Sequence, residues 1–147
     1  MKERFETFTV LIGRIYRNIR KIKNQEMADY DLRSPHISCL YYLYSSDGLT
    51  ATDLRERCDE DKATISRSLD YLKVRGFLRS DGKSGKSYKS PLHLTEKGRE
   101  VGKKISDKIN RVLDDVGADL TEEERVTFYH SLGIICNGLE RVCNDNP

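Results

Sequence analysis

The sequence predicts a mainly α fold with one short β-hairpin, and two observations support this. Capping signals and apolar residues spaced three and four apart mark a succession of helices along the chain. Residues 77–94 instead combine strand-forming residues with a turn rich in glycine and serine. A chain of 147 residues can bury one sizeable core, so we expect a single domain over 1–147.

The N-terminal part predicts a long helix and then a shorter one. The long helix carries a heptad-like apolar seam, which the polar run 29–33 interrupts. The seam residues are Phe5, Phe8, Ile12, Ile15, Ile19 and Ile22. Ser34 is expected to cap the shorter helix, with Pro35 at its first position.

Two further helices are predicted on either side of a tight acidic turn. Thr50 and Asp53 have the spacing of a capping box, which starts the first of them. The run Cys-Asp-Glu-Asp at 58–61 breaks the pattern, and Asp61 is placed to cap a helix over 62–75. Gly76 supplies a left-handed C-terminal cap.

The helix over 62–75 has one apolar and one polar face. Ile65, Leu69 and Leu72 recur at helical spacing and predict the buried face. The opposite face is small and polar, with one arginine near the N-terminal end; it comprises Ala63, Thr64, Ser66, Arg67 and Asp70. Such a face suits the major groove of DNA, because small residues allow close approach and arginine can bind guanine. A merely solvated helix face is the alternative interpretation.

A basic hairpin follows this helix. Strands are predicted at 77–80 and 88–94 around a flexible tip, and Pro91 confines the second strand to an edge or a bulge. Residues 62–97 contain nine basic and three acidic residues, a net charge of +6, whereas the whole chain has +2. Positive charge is therefore concentrated where a DNA-binding surface would lie, which favours phosphate contacts.

The C-terminal part predicts two more long helices. Thr95 caps the first, and Thr121 with Glu124 forms a capping box for the second. Their apolar seams exceed what a small domain can cover, so we expect a symmetric dimer; an intramolecular helical layer is the alternative. The expected dimerisation residues are Phe5, Phe8, Ile12, Ile15, Leu132, Ile135 and Leu139.

This order of elements suits a protein that places one helix in a DNA groove with a flexible arm beside it. The DNA-binding lobe is expected over 34–98, and the dimerisation region over 1–30 and 99–147. The expected DNA contacts are Thr50, Lys62, Ala63, Thr64, Ser66, Arg67, Lys83, Lys86 and Lys89. A winged helix that binds another protein, and never DNA, is the alternative.

The chain resembles the MarR family, the multiple-antibiotic-resistance regulators of bacteria and archaea, over nearly its whole length. The resemblance rests on the long N-terminal helix, on LTATDL at 49–54, on DKATISRSLDYLKVRGFL at 61–78 and on LHLTEKG at 92–98. It implies a mainly α fold, a winged helix-turn-helix with a two-stranded β wing and long N- and C-terminal dimerisation helices. It also implies a homodimer that binds a palindromic operator in double-stranded DNA as a transcriptional regulator, most often a repressor. The family often has Asp-x-Arg in the wing, whereas this chain has Asp81-Gly82-Lys83. Because lysine lacks the planar fork of arginine, we expect mainly electrostatic anchoring by this wing.

The resemblance also implies an effector site, because relatives bind small aromatic acids between the dimerisation helices and the DNA-binding lobe. A small aromatic ligand is therefore a possible partner, and the candidate residues are Tyr16, His36, Tyr41 and Tyr44, with Tyr42 nearby. The alternative is that these tyrosines pack in the core with their hydroxyl groups satisfied.

Other chemistry has little support in the sequence. The four cysteines form no Cys-x-x-Cys pair and are expected to be buried free thiols. A cysteine-based redox sensor is the alternative; relatives that sense peroxide use a cysteine of the N-terminal helix, which this chain lacks, so Cys136 and Cys143 are the candidates. His36, His93 and His130 lack the spacing of a metal site. No phosphate-binding loop or nucleophile elbow is visible, so we expect neither an enzyme nor a cofactor.

Composition limits the location of the protein. Charged residues make up 34% of the chain and the mean hydropathy is −0.67, values typical of a soluble protein. The apolar runs are too short for a membrane span. No basic-then-apolar leader opens the sequence, so a cytoplasmic location is expected.

Overall fold

The computed structural model describes residues 2–80 and 89–145, and helices dominate them. They are α1 (Lys2–Glu6), α2 (Ile12–Glu26), α3 (Ser34–Ser45), α4 (Ala51–Cys58), α5 (Lys62–Val74), α6 (Glu96–Val116) and α7 (Glu122–Asp145). A π-helical segment, Thr7–Leu11, joins α1 to α2, and a 3₁₀ turn, Ala28–Tyr30, follows α2. Two compact units are present, residues 1–108 and 109–147, and the boundary lies within α6.

The N-terminal helix is continuous but not uniformly α-helical. In the π-helical segment the Thr9 hydroxyl donates to the Phe5 carbonyl at 2.7 Å, and the Thr7 hydroxyl donates to the Glu3 carbonyl at 2.9 Å. Such bonds compete for the carbonyl groups of the preceding turn and perturb the helix locally. The apolar seam predicted for one regular helix therefore passes through a change of helical pitch between Phe8 and Ile12.

The core of the first unit lies among α3, α4, α5 and the start of α6. Leu40, Leu54 and Leu72 are fully buried there, one from each of the first three helices. Val101 and Ile105 of α6 are also buried. The apolar face predicted from three–four spacing in α5 packs inward, and in α6 only the first part of the predicted face does so, because Val116 at the end of α6 is exposed.

The start of α3 differs from the expectation. Arg33, not Ser34, occupies the N-cap, and its backbone N–H donates to His36 Nδ1 at 3.1 Å. The Ser34 N–H instead donates to Asn24 Oδ1 at 2.8 Å. The expected serine cap is wrong because groups from α2 and from His36 satisfy the amides of this helix end.

The hairpin is present at its base. An antiparallel bridge joins Leu78 to Leu94, the Arg79 N–H donates to the His93 carbonyl at 2.9 Å, and the Thr95 N–H donates to the Phe77 carbonyl at 3.1 Å. Within residues 2–80 and 89–145 this pairing does not extend into regular strands. The predicted tip at 82–87 lies outside the described residues.

Gly98 fits α6 against this base. A Cβ atom at Gly98 would overlap the carbonyl oxygen of Phe77, whose side chain is itself buried. The Thr95 hydroxyl bonds both sides of the joint: it donates to the Gly76 carbonyl at 2.6 Å and accepts from the Gly98 N–H at 3.0 Å. These contacts therefore hold the base of the hairpin against the first turn of α6.

In the second unit, α7 begins as expected and carries a half-exposed apolar surface. The Thr121 hydroxyl accepts from the Glu124 N–H at 3.2 Å, and the Glu124 carboxylate accepts from the Thr121 N–H at 2.8 Å. These contacts confirm the predicted capping box. Leu132, Ile135 and Leu139 remain between 36% and 54% exposed in the single chain.

Candidate nucleic-acid interface

The turn before α5 fixes the direction of that helix. Asp59 has a left-handed backbone with φ 51°, which ends α4. Asp61 Oδ1 then accepts from the Thr64 N–H at 2.7 Å. Because the amide of Thr64 stabilises the charged carboxylate, the pKa of Asp61 is held below its usual value. The predicted N-cap of α5 is confirmed.

The C-terminal end of α5 has the predicted Schellman geometry. The Phe77 N–H donates to the Leu72 carbonyl at 2.8 Å, and the Gly76 N–H donates to the Lys73 carbonyl at 3.0 Å. Gly76 has φ 78°, a conformation that favours glycine. Both ends of the helix are thus fixed by residues next to it in sequence.

The two faces of α5 divide as the spacing predicts. Ile65, Leu69 and Leu72 are buried, together with Ser68, whose hydroxyl donates to the Thr64 carbonyl at 2.8 Å. The opposite face comprises exposed Ala63, Arg67 and Asp70 and half-buried Thr64 and Ser66. Arg67 thus lies exposed among small polar residues on a helix whose opposite, apolar face is buried.

Arg67 is oriented along its own helix. One guanidinium nitrogen donates to Thr64 Oγ1 at 3.3 Å. This bond uses one of five N–H donors and directs the side chain toward the N-terminal turn of α5. The geometry suits an arginine that binds the edge of a base with its remaining donors.

Thr50 is already occupied by its capping role. Its hydroxyl accepts from the Asp53 N–H at 3.2 Å and lies 2.9 Å from Asp53 Oδ2, which also accepts from the Thr50 N–H at 2.8 Å. The hydroxyl predicted to contact DNA is therefore also the group that starts α4.

A small cavity opens between α4 and α5. It has a volume of about 240 Å³ and is lined by Ala51, Thr52, Arg55, Lys62 and Ile65. Two of these residues are cationic, and Lys62 lies in the first turn of α5. Arg55 was not predicted as a site residue, although its i, i+3 spacing from Thr52 places both on one face of α4.

The C-terminal half of α5 is tied to the turn after α2. Tyr71 donates through its hydroxyl to the Asp31 carbonyl at 2.6 Å, and Arg75 pairs with the Asp31 carboxylate at 3.4 Å. The imidazole of His36 stacks on the Tyr71 ring, with centroids 4.3 Å apart. Burial and the neighbouring Arg33 charge lower the pKa of His36.

Of the three wing lysines predicted to contact DNA, one lies among the described residues. Lys89 is exposed, as is Arg79 across the base of the hairpin. Lys83 and Lys86 lie outside the described residues.

The predicted effector residues have different neighbours. His36 stacks on Tyr71, Tyr41 makes an edge contact with Tyr42 at 5.4 Å, and Tyr44 packs on Gly102. Tyr16 is 60% exposed. The aromatic residues that the sequence suggested as one cluster thus contact different neighbours.

The thiols differ from the expectation of four buried groups. Cys39 is buried and Cys58 partly buried, but Cys136 and Cys143 are exposed on α7. The expectation is wrong for the last two, because both residues lie on the exposed surface of α7 among the described residues.

Residues 2–80 and 89–145 contain no cluster of three His, Cys, Asp or Glu side chains arranged to hold a metal ion. None of the described helices has the length and apolar character needed to cross a membrane.

The sequence matches known proteins. Residues 30–87 match a family model described as the MarR family. The chain is 26% identical over 130 residues to YybA, an uncharacterised HTH-type transcriptional regulator of Bacillus subtilis (strain 168), covering 88% of this chain and 87% of the relative.

Solved structures share the fold. A MarR-family transcriptional regulator from Silicibacter pomeroyi is 26% identical, with a TM-score of 0.72 over 85% of this chain and 84% of that chain. The S. aureus MepR–DNA complex has a TM-score of 0.78 at 20% identity, over 90% of this chain and 98% of that chain. This likeness supports the helix-turn-helix architecture around α4 and α5, and the chain is similar to transcriptional regulators of the MarR family, whose family model residues 30–87 match.

Proposed function

We propose that this protein regulates transcription by binding a palindromic operator in double-stranded DNA as a homodimer, most simply as a repressor. The observation that carries the proposal is α5: its apolar face is buried, and its exposed face presents Arg67 among small polar residues. MepR, which shares the fold, forms a complex with DNA, and this supports the same use of the fold here.

Distinct roles follow for the residues around α5. Arg67 binds a base edge in the major groove, while Ala63 and Ser66 allow the helix to approach closely. Arg55 and Lys62, which flank the cavity between α4 and α5, bind phosphate. Lys83, Lys86 and Lys89 add phosphate contacts from the wing and set much of the salt dependence.

Dimerisation places two copies of α5 on one operator. The apolar residues of the N-terminal helix and of α7 are half exposed in the single chain, as expected for surfaces that a second copy covers. Two α5 helices then meet half-sites about 34–36 Å apart on one side of the duplex.

Selection of bound sequences from a random duplex pool tests the proposal. The expected product is a palindrome whose half-sites are about 10–10.5 base pairs apart, bound by two protomers. A winged helix that binds only proteins would enrich no sequence. Its weak residual binding would also be independent of sequence.

A small aromatic ligand as effector is a further part of the proposal. Tyr41 and Tyr44 lie half-buried on α3, and α3 packs on both α5 and α2. A ligand at α3 would tilt the DNA-binding helices and shift the distance between the two copies of α5. By reciprocity, DNA must change ligand affinity by the same factor as the ligand changes DNA affinity.

A further inference from the structure

The turn between α2 and α3 is anchored in the core. Met27 and Leu32 flank this turn and are buried, and the Leu32 N–H donates to the Met27 carbonyl at 3.4 Å. Asp31 lies exposed between them and has a left-handed backbone with φ 56°. A residue other than glycine keeps this conformation only where its surroundings hold it in place. The turn therefore offers a fixed point to which another element can be attached.

The C-terminal half of α5 is attached to that point. The Tyr71 hydroxyl donates to the Asp31 carbonyl at 2.6 Å and lies 3.1 Å from Asp31 Oδ2. Arg75 pairs with the same carboxylate at 3.4 Å, and its guanidinium carbon lies 5.7 Å from the centre of the Tyr71 ring. Tyr71 follows Arg67 by four residues, which is about one helical turn. The attachment thus lies one turn away from the arginine that is proposed to bind a base.

His36 of α3 adds a titratable group to this attachment. Its imidazole stacks on the Tyr71 ring, with the ring planes 9° apart. Its Nδ1 accepts from the Arg33 N–H at 3.1 Å, at the start of α3. A ring nitrogen that accepts a hydrogen bond carries no proton, so this contact requires the neutral imidazole. Protonation would place one donor opposite another, and the bond at the start of α3 would be lost.

Groups from several elements face the imidazole. Arg33 lies at the start of α3, and Asp31 in the turn carries the opposite charge. From α5 come the phenol ring of Tyr71, stacked on the imidazole, and Arg75, which pairs with Asp31. From α2 comes Asn24, an uncharged side chain whose Oδ1 accepts a backbone N–H of the first turn of α3. Two cations and one carboxylate therefore surround the ring, which disfavours a third positive charge.

These surroundings favour the neutral form of His36. Burial and the Arg33 charge lower its pKa from the ordinary value of 6.5, while Asp31 opposes the shift. Because the folded-state pKa lies below the unfolded value, the stabilisation from neutral His36 is complete above about pH 6.5. It is lost as the pH falls through the folded pKa.

We propose that Asp31, His36 and Tyr71 form a clasp that positions α5 for DNA, and that protonation of His36 opens this clasp. When the clasp is closed, α5 is fixed to the turn and to the start of α3. When it opens, the C-terminal half of α5 can shift, and Arg67 is displaced from its place in the groove. The three clasp residues are positioning residues, since they act through α5. The effect on DNA rests on the proposed function, whereas the clasp and its titration do not.

An NMR titration of the parent protein tests the clasp without DNA. The His36 ring should titrate at a lower pH in the folded protein than in the same protein unfolded in urea. The Arg33 amide resonance should follow the same midpoint, because its hydrogen bond ends when His36 is protonated. In the Tyr71→Leu protein, which lacks the stack, the midpoint should rise toward the unfolded value. A folded midpoint at or above the unfolded one, or an Arg33 amide that does not follow it, would overturn the clasp.

The His36→Asn protein tests the titration against DNA binding. Asparagine keeps an acceptor oxygen on a short side chain and does not titrate. Operator affinity is measured from pH 8 to pH 5.5 at constant ionic strength. At pH 5.5 the parent should lose up to about tenfold per protomer, because that pH is one unit below the ordinary histidine pKa. The His36→Asn protein should lack this loss, and the matched His130→Asn protein, altered on α7, should retain it. Equal pH profiles for parent and His36→Asn would overturn the role of protonation.

The Tyr71→Phe protein tests the positioning role at neutral pH. This variant keeps the ring but loses the hydrogen bond to Asp31, so operator affinity should fall several-fold. The slope of affinity against salt should stay the same, because no phosphate contact is removed. Tyr129→Phe is the matched control, since Tyr129 is 55% exposed on α7, and it should bind like the parent. A Tyr71→Phe protein with parental affinity, or with a shallower salt slope, would overturn the positioning role.

Failure of the proposed function would look different from failure of the clasp. If no operator can be selected while His36 and the Arg33 amide still titrate together below the unfolded midpoint, the result counts against DNA binding and supports the clasp.

Discussion

Replacing Gly98 with alanine should destabilise the joint between the wing base and α6. The added Cβ would overlap the carbonyl oxygen of Phe77 and lie 2.9 Å from its carbonyl carbon. That carbonyl cannot move freely, because it accepts from the Thr95 N–H at 3.1 Å and the Phe77 side chain is buried. The clash must be relieved by moving the backbone that leads into the wing.

The magnitude follows from two opposing effects. Alanine gains at most about 1 kcal/mol over glycine inside a helix, and less in the first turn, where Gly98 lies. Overpacking costs about 1–3 kcal/mol, and a clash with backbone belongs at the upper end. We therefore expect a net loss of about 2 kcal/mol, which lowers the Tm by roughly 4–8 °C in a chain of this length.

Thermal and urea denaturation at a fixed protomer concentration measures the loss. Gly133→Ala is the matched control, because a Cβ at Gly133 of α7 meets no atom within 4 Å. That variant should be as stable as the parent or gain up to about 1 kcal/mol. A Gly98→Ala protein as stable as the Gly133→Ala protein would refute the packing argument.

Further substitutions test the cap of α5, the wing, the proposed dimer interface and the proposed effector site. Asp61→Ala should lower the free energy of unfolding at pH 7, because the folded-state pKa of Asp61 lies below its unfolded value. The difference between parent and variant should persist above about pH 4 and vanish as the pH falls through the folded pKa, and denaturation at several pH values measures it. Lys89→Ala should weaken binding to all DNA sequences alike and reduce the salt slope by about one, and a change of preferred sequence would contradict a phosphate role. Leu139→Glu should abolish both self-association in sedimentation and tight operator binding, since an unpaired charge would enter an apolar interface; a variant that remains dimeric would exclude that residue. The Tyr41→Ala and Tyr44→Ala proteins should bind more weakly those aromatic acids that raise the melting temperature of the parent protein. Unchanged affinity would show that both tyrosines only pack in the core.

The features that sequence predicts well here are determined by neighbours in the chain. The Thr121 capping box, the Asp61 cap and the Gly76 Schellman turn each depend on residues within a few positions, and each is confirmed. The buried and exposed faces of α5 follow likewise from helical periodicity.

The features that sequence missed depend on tertiary contacts. The cap of α3 uses Asn24 from another helix, so the expected Ser34 cap is wrong. Arg55 is a candidate because it lines the cavity between α4 and α5, which the packing of the two helices creates.

Whether α5 reads DNA bases is decided by a parallel selection and titration of Arg67→Ala and Arg99→Ala proteins. Both arginines are exposed, but Arg99 belongs to α6. The Arg67→Ala protein should lose about 1–3 kcal/mol of operator affinity and show relaxed specificity at one position in each half-site. The Arg99→Ala protein should retain the parent sequence preference. An Arg67→Ala protein that selects the same operator with undiminished preference would show that Arg67 of α5 does not read a base.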